Sequence, residues 1–321
     1  MAPLRPFTVN PVLTGIAIAY VNPDVALIAD EALPRVEVGG EVFKWTEYPV
    51  HEAFTAPDTR VGRKGRVPEV EFSGTERDGS VETFGLQDGI PNSDIEAAKA
   101  QRDKGLSSYD PLAHATTWLS HLLRVDRETR VAAAVQNPDN YLPANVTNIV
   151  TAADRFDDAN SDPEAILDAA FAAPLVFRPN TVTMSEAVWN VLRKHPQLVK
   201  SVKGTTTGAG KIARAEFIEY FEIKKLLIGA GYVNAARAGQ PTDLRQIWGK
   251  DISLTYLDSL ARPGTGGVTW GFSPSFGARI AGTIEDASIG LHGGQVVRVG
   301  EMIKEFVVAK AAGALIRNAI S

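Results

Sequence analysis

Between Arg35 and Leu86 apolar and polar residues alternate. In RVEVGGEVF (Arg35–Phe43) the valines stand at 36, 38 and 42, and EVEF (Glu69–Phe72) and SVETFGL (Ser80–Leu86) repeat the period of two. Successive strand side chains point to opposite faces, so this spacing predicts half-buried strands, with Gly39-Gly40 as a turn or bulge. Between the runs lies DTRVGRKGRVPE (Asp58–Glu69), where Arg60, Arg63, Lys64 and Arg66 fall within seven residues with no acid among them. The pattern predicts a long hairpin over residues 35–89 with a basic tip and little core of its own.

From residue 90 the period becomes helical. Asn92 or Ser93 is placed to cap a helix, SDIEAAKAQRDK, that ends at Gly105. SSYDP restarts the helix, with Asp110 as N-cap and Pro111 at the first helical position, where a fixed φ and a missing N–H do no harm. Leu112, Ala115, Leu119, Leu122, Leu123, Val131, Ala134 and Val135 keep one helical stripe as far as Asn137-Pro138. About 25 residues at 1.5 Å each give a helix of ~37 Å.

Residues 140–295 mix both periods. Helices are expected over Ser161–Ala173 and Ser185–His195, and strands over Pro179–Met184, Ile223–Val233, Asp251–Leu257 and Gly267–Phe272. Gln295–Ser321 holds the β-like KEFVVAK and a small-residue tail. Residues 1–34 differ: five prolines, little periodicity and one short apolar run, Val12–Tyr20. They read as an extended arm, which cannot bury itself.

Composition narrows the classes. The chain has 321 residues, 44% hydrophobic and 22% charged, an ordinary globular balance. Its net charge of −5 offers no broad basic face for nucleic acid. With no cysteines, disulfides and thiolate metal sites are excluded. Val12–Tyr20 is far below the ~20 residues of a membrane span, and the N-terminus lacks the charged start and cleavage site of a signal peptide. No membrane role is expected.

No stretch carries recognisable catalytic chemistry. KGTTTGAGK (Lys203–Lys211) alternates glycine with hydroxyl residues like a phosphate cradle. Its glycine spacing is wrong, Ile212 stands where a Mg²⁺-binding hydroxyl belongs, and a basic, helix-like segment precedes it instead of a strand. His114 and His121 lie seven apart and not at the i, i+4 spacing of a zinc helix. GFSPSFG (Gly271–Gly277) lacks the spacing of a nucleophile elbow. Adjacent acids such as Asp157-Asp158 and Glu285-Asp286 suit solvated turns, and Asn145-Val-Thr only formally fits a glycosylation acceptor. Neither catalytic residues nor cofactor-binding or metal-binding residues are expected. Arg60, Arg63, Lys64 and Arg66 lack interleaved aromatics and sit in an acidic chain, so they suit an acidic partner better than nucleic acid.

An arm without a core, a protruding hairpin, a long helix and an α/β region describe a subunit whose neighbours complete it. The chain here resembles the major capsid proteins of tailed bacteriophages, with the Hong-Kong-97-like fold. FGLQDGIPNSDIEAAK (Phe84–Lys99) is similar to the family's exit from its extended hairpin, and PNTVTMSEAVWNVLRKHPQLVKSVKG (Pro179–Gly204) to its axial strand–helix unit. Val233–Tyr256 and WGFSP (Trp270–Pro274) resemble later strands of that domain, and it is the order of these segments that carries the resemblance.

The resemblance implies an α+β fold in four parts. These are an N-terminal arm (1–34), an extended hairpin loop (35–89), a peripheral domain with a spine helix (90–139 and 296–321) and an axial domain (140–295). It implies hexamers and pentamers in an icosahedral virion shell around double-stranded DNA bound without sequence preference, assembled in the host cytoplasm. A separate scaffold, a portal and decoration proteins are the implied partners, and the loop at Gly204–Lys211 would lie near the capsomer centre. Assembly is expected to be non-covalent, since nothing selects Lys44, Lys64 or Asn318 for a cross-link. Arg60, Arg63, Lys64 and Arg66 are the candidate inter-subunit contacts. Two alternatives stand beside this reading: an encapsulin-like compartment, told apart by its lumen content, and a soluble α/β enzyme, told apart by its small size.

Overall fold

A computed structural model describes residues 23, 26–47, 54–70, 73–204, 206–237, 239–258 and 267–321. The expected arm lies mostly outside the described residues. Its last part forms a one-turn helix, α1 (Ala29–Ala32), followed by strand β1 (Arg35–Glu37). Strands β2 (Val42–Glu47), β3 (Thr75–Ser80) and β4 (Glu82–Pro91) lead to helices α2 (Asn92–Asp103) and α3 (Pro111–Val135). Next come β5 (Val146–Asn148), α4 (Pro163–Ala172), β6 (Thr181–Ser185), α5 (Glu186–Leu192), α6 (Pro196–Lys203) and α7 (Arg214–Tyr220). Strands β7 (Lys225–Gly229), β8 (Tyr232–Asn234), β9 (Leu244–Gln246), β10 (Ile252–Thr255), β11 (Gly271–Asp286), β12 (Gly294–Ile303), β13 (Phe306–Val307) and β14 (Gly313–Arg317) follow.

The long helix starts where Asp110 and Pro111 place it. The Asp110 carboxylate accepts from the N–H groups of Leu112 and Ala113 at 3.0 and 3.4 Å. Its stripe serves two cores in turn. Ala115, Leu119 and Leu123 pack on Ile90, Val297 and Val299. One end further, Val131, Ala132 and Val135 pack with Ile28, Leu33, Trp248 and Trp270.

Each core belongs to a sheet. The first runs β1-β11-β12-β4, with β13 pairing the start of β11. The second runs β5-β14-β10-β6-β7, with β10 at its middle, and both β10 and its neighbour β6 are buried throughout. Leu167, Leu192, Leu198 and Phe217 from α4 to α7 cover Val182, Met184, Ile252 and Leu254 of this second sheet. Asp162 caps α4 and Ser185 caps α5 through side-chain oxygens. The mixed α+β class expected from the sequence is the one observed.

Several expected elements are corrected. No strand forms at Glu69-Val70, and the described partner of β2 is the polar stretch Thr75–Ser80. Five of the six residues of that stretch are exposed, so no alternation marks it. Neither Asn92 nor Ser93 caps α2. Asn92 is its first residue and donates to the carbonyl of His292, while Ser93 bonds to Asp94. The expected strand Ile223–Val233 breaks after Gly229, where Trp248 lies so close that a Cβ would sit 2.0 Å from its ring.

The expected strand Gly267–Phe272 instead begins at Gly271 and runs 16 residues to Asp286. Its pairing with β12 carries the first sheet across residue 295, where a part boundary was expected. The small-residue tail is also a strand. β14 is buried between β5 and β10, so the last segment contributes to both sheets.

Candidate functional site

Strands β2 and β3 pair antiparallel from Val42↔Ser80 to Glu47↔Thr75. The base of this hairpin is held by aromatic rings. Phe43 and Trp45 each lie 5.5 Å from Phe306 of β13, edge-on at 78° and 73°. Opposite them must stand a glycine, because a Cβ on Gly79 would come within 2.6 Å of the Phe43 ring. Gly79 is also the one buried residue of β3. Lys44 reaches Glu76 at 3.2 Å and Asp78 at 3.8 Å across the strands. The hydrogen bond and charge of Glu76 raise its pKa.

Beyond the base, every residue from 54 to 70 is exposed. Arg60, Arg63, Lys64 and Arg66 all stand in this stretch, and none makes an ion pair among the described residues. Local order comes from a turn, with the Gly65 N–H donating to the Gly62 carbonyl at 2.8 Å. The Asp58 carboxylate accepts from the Arg60 backbone N–H, not from its guanidinium. Phe54, Val61, Val67 and Val70 are exposed alongside the cations. The tip therefore offers charge and apolar surface together, and none of the described residues of its own subunit covers it.

A polar joint ties α1 and β1 to the long helix. Glu128 is fully buried and accepts from the N–H groups of Ile28 and Ala29 at 2.9 and 2.7 Å, and from the Trp248 indole at 2.6 Å. Burial pushes its carboxyl above the usual range, and these donors pull against that rise. Arg127 is buried beside it, paired with Asp30 and donating to the Leu33 carbonyl. Burial lowers its guanidinium to about 10.

Arg35 bridges Asp30 and Glu301 at 2.8 Å each, and Arg279 reaches Glu301 at 3.0 Å. Burial works to raise Glu301, but the two guanidinium groups outweigh it and hold the carboxyl below its ordinary range. Arg130 grips Glu305 with two 2.8 Å bonds and lies 3.5 Å over the Phe84 ring.

No protein-family profile matches the chain. It is 39% identical over 316 residues to the major capsid protein of Pseudomonas phage JBD67, with 98% of each chain covered. The chain belongs to the major capsid proteins of bacteriophages. The capsid protein's fold agrees. A solved phage-related protein from Bordetella bronchiseptica RB50 superposes with a TM-score of 0.68 at 20% identity, covering 97% of both chains. The capsid of cyanophage P-SCSP1u gives 0.55 at 11%, covering 99% of this chain and 92% of the other. The fold is that of phage capsids, Hong-Kong-97-like.

As a capsid protein the molecule is a structural part of the virion, and its working surfaces are the ones other molecules would cover. The four candidate cations share one loop, as the sequence predicts. Two groups were not singled out by sequence: Arg35, Arg127, Glu128 and Glu301, which hold α1 and β1 in place, and the rings of Phe43, Trp45 and Phe306 at the hairpin's root. One signal was present, since Arg127 lies four residues from both Leu123 and Val131 on the buried stripe of α3. A charge there demands a partner.

Other sequence candidates have structural positions. Ser273 of the Gly271–Gly277 stretch is buried and donates to the Leu33 carbonyl. Gly204 closes α6 with a φ of 60°, a conformation that suits glycine. His114 stacks on Trp118 along the outer face of α3, 6.2 Å between centroids. Among the described residues no helix is long and apolar enough to cross a membrane.

Proposed function

We propose that this capsid protein forms rings of six and five copies, hexamers and pentamers, which close an icosahedral head around double-stranded DNA. The observation that carries the reading is the hairpin: rooted by the rings of Phe43, Trp45 and Phe306, exposed throughout its tip, and tipped by Arg60, Arg63, Lys64 and Arg66 without partners among the described residues. Such a tip fits an acidic patch on the next copy around the ring. A single exposed ion pair is weak, but ring symmetry repeats the contact at every subunit.

DNA is enclosed and not read in this proposal. The chain carries a net charge of −5, and four tip cations cannot neutralise the phosphates of a packaged genome. No catalytic step is assigned to the protein. Assembly in the host cytoplasm with a separate scaffold, a portal and decoration proteins belongs to the same proposal.

The test reverses the tip. Arg63→Glu, Lys64→Glu and Arg66→Glu together should leave the circular dichroism spectrum of the subunit unchanged and abolish or slow the rise in light scattering on assembly. Normal particles at normal yield would reject the tip contact. Particles that form but hold little DNA would assign the cations to the genome instead.

A further inference from the structure

One long strand edge of the capsid protein is uncovered among the described residues. Strand β1 meets β11 only at Ser273–Ser275 and β13 meets it only at Gly271 and Phe272. Past those contacts, among the described residues, β11 is paired on the β12 side alone. Residues 277–285 are all exposed, including Ile280 at 63% and Ile284 at 49%. A strand edge of this kind is a template for further pairing, and proteins ordinarily blunt it with charge, proline or cover. This stretch contains no proline, and its middle, Ile280 to Ile284, contains no charge.

The register fixes which way its residues face. Val297 and Val299 bury against α3 and pair with Thr283 and Ala281. Odd-numbered residues of the edge therefore share the helix side of the sheet, and Ile280, Gly282 and Ile284 share the other side.

The edge is complementary to itself. Its sequence is Arg279-Ile280-Ala281-Gly282-Thr283-Ile284-Glu285. Laid antiparallel against a second copy about Gly282, it sets Arg279 opposite Glu285, Ile280 opposite Ile284, and Ala281 opposite Thr283. The two members of each pair share a face of the joined sheet, and opposite charges or apolar branched pairs across strands are the stabilising kinds. Arg279 uses its Nε for Glu301 and keeps its terminal N–H groups for a further acceptor. Glu285 has no ion pair among the described residues. At the centre, a Cβ on Gly282 would meet nothing within 4 Å, so the middle of the edge is open to an approaching strand.

We propose that two copies of this chain join β11 to β11 about a two-fold axis at Gly282, merging their β4-β12-β11 sheets into one. The inference rests on the reading that copies of the chain assemble. It adds a contact of a different kind. The tip of β2–β3 would meet an unlike surface and so build rings, whereas this edge meets its own like and so links one ring to another.

Because the chain has no cysteine, a single introduced thiol has only another copy's thiol to pair with. Directly opposed residues of antiparallel strands have Cα atoms about 4.5–5.5 Å apart, within disulfide reach. Oxidised particles of Gly282→Cys should run mostly as covalent dimers on a non-reducing denaturing gel. Ile280→Cys and Ile284→Cys alone should stay mostly monomeric, since each would lie about 13 Å from its own copy, four residues of strand rise. The double variant Ile280→Cys/Ile284→Cys should restore the dimer, and it carries the test if Gly282→Cys fails to fold.

Particles whose Gly282→Cys and double variants both remain monomeric overturn the two-fold contact and leave the assembly reading standing. Equal dimer from all three single variants also overturns it, since collisions would then explain the links. A wild-type chain that forms no particles at all overturns both readings.

Discussion

Glu301 is held by Arg35 and Arg279 in a buried site, and its carboxyl titrates below the ordinary 4.5. A lowered folded value means the charged form stabilises the fold above the unfolded value. That contribution is lost as pH falls below 4.5 through the folded value. Glu128 and Glu305 shift the other way, because burial outweighs their donors, so acid does not cost the fold through them in the same manner. Glu301→Gln should therefore be less stable than wild type at pH 7, and the gap between their urea midpoints should narrow by pH 4. A gap that stays constant would show that Glu301 does not titrate in this window. Of this joint the sequence shows only Arg127, a charge on the buried stripe of α3, and none of the partners. Glu128 finds its backbone donors about a hundred positions away, at |i−j| of 100 and 99, and no local pattern encodes such a meeting.

At the scale of elements, the apolar series on α3 contains both Leu119 and Leu122, but the fold treats them differently. Leu119 is 7% exposed against Ile90, Val297 and Val299, whereas Leu122 is 42% exposed. Leu119→Ala should cost about 2–5 kcal/mol in a urea titration of the unassembled subunit, through lost burial and the cavity left behind. Leu122→Ala should cost less than ~1 kcal/mol. Equal losses would mean that the outer face of the helix is packed as well. This helix was readable because its start is written locally, in Asp110 and Pro111, and its stripe recurs for 25 residues. Strands β3 and β11 were not readable in their true extent. Thr75–Ser80 is polar throughout, and Gly277–Glu285 is exposed on both faces, so burial imposed no alternation on either. They are strands because of the partner beside them, which the sequence names only at a distance. The candidate cations were readable as a cluster, because unlike the joint they are adjacent in the chain.

The whole molecule separates what folds it from what joins it. Its stability sits in two sheets sharing one helix, away from the tip cations. Raised salt should therefore slow or weaken assembly, since exposed charges are screened beyond about 3 Å at 1 M salt, while leaving the subunit's urea midpoint nearly unmoved. Light scattering at low and high salt checks this, and the tip-reversed variant should show a smaller salt effect, from the remaining contacts alone. Equal salt response in both proteins would remove the tip from the contact. The same separation has an evolutionary side. Between residues 54 and 70 nothing is buried, so substitutions there escape the constraint that packing places on Leu119 or Gly79. A change in this loop is judged only by the surface it meets on another copy. Loop and receiving surface should therefore drift as a matched pair, and capsid proteins that keep the same interior can come to accept only their own kind.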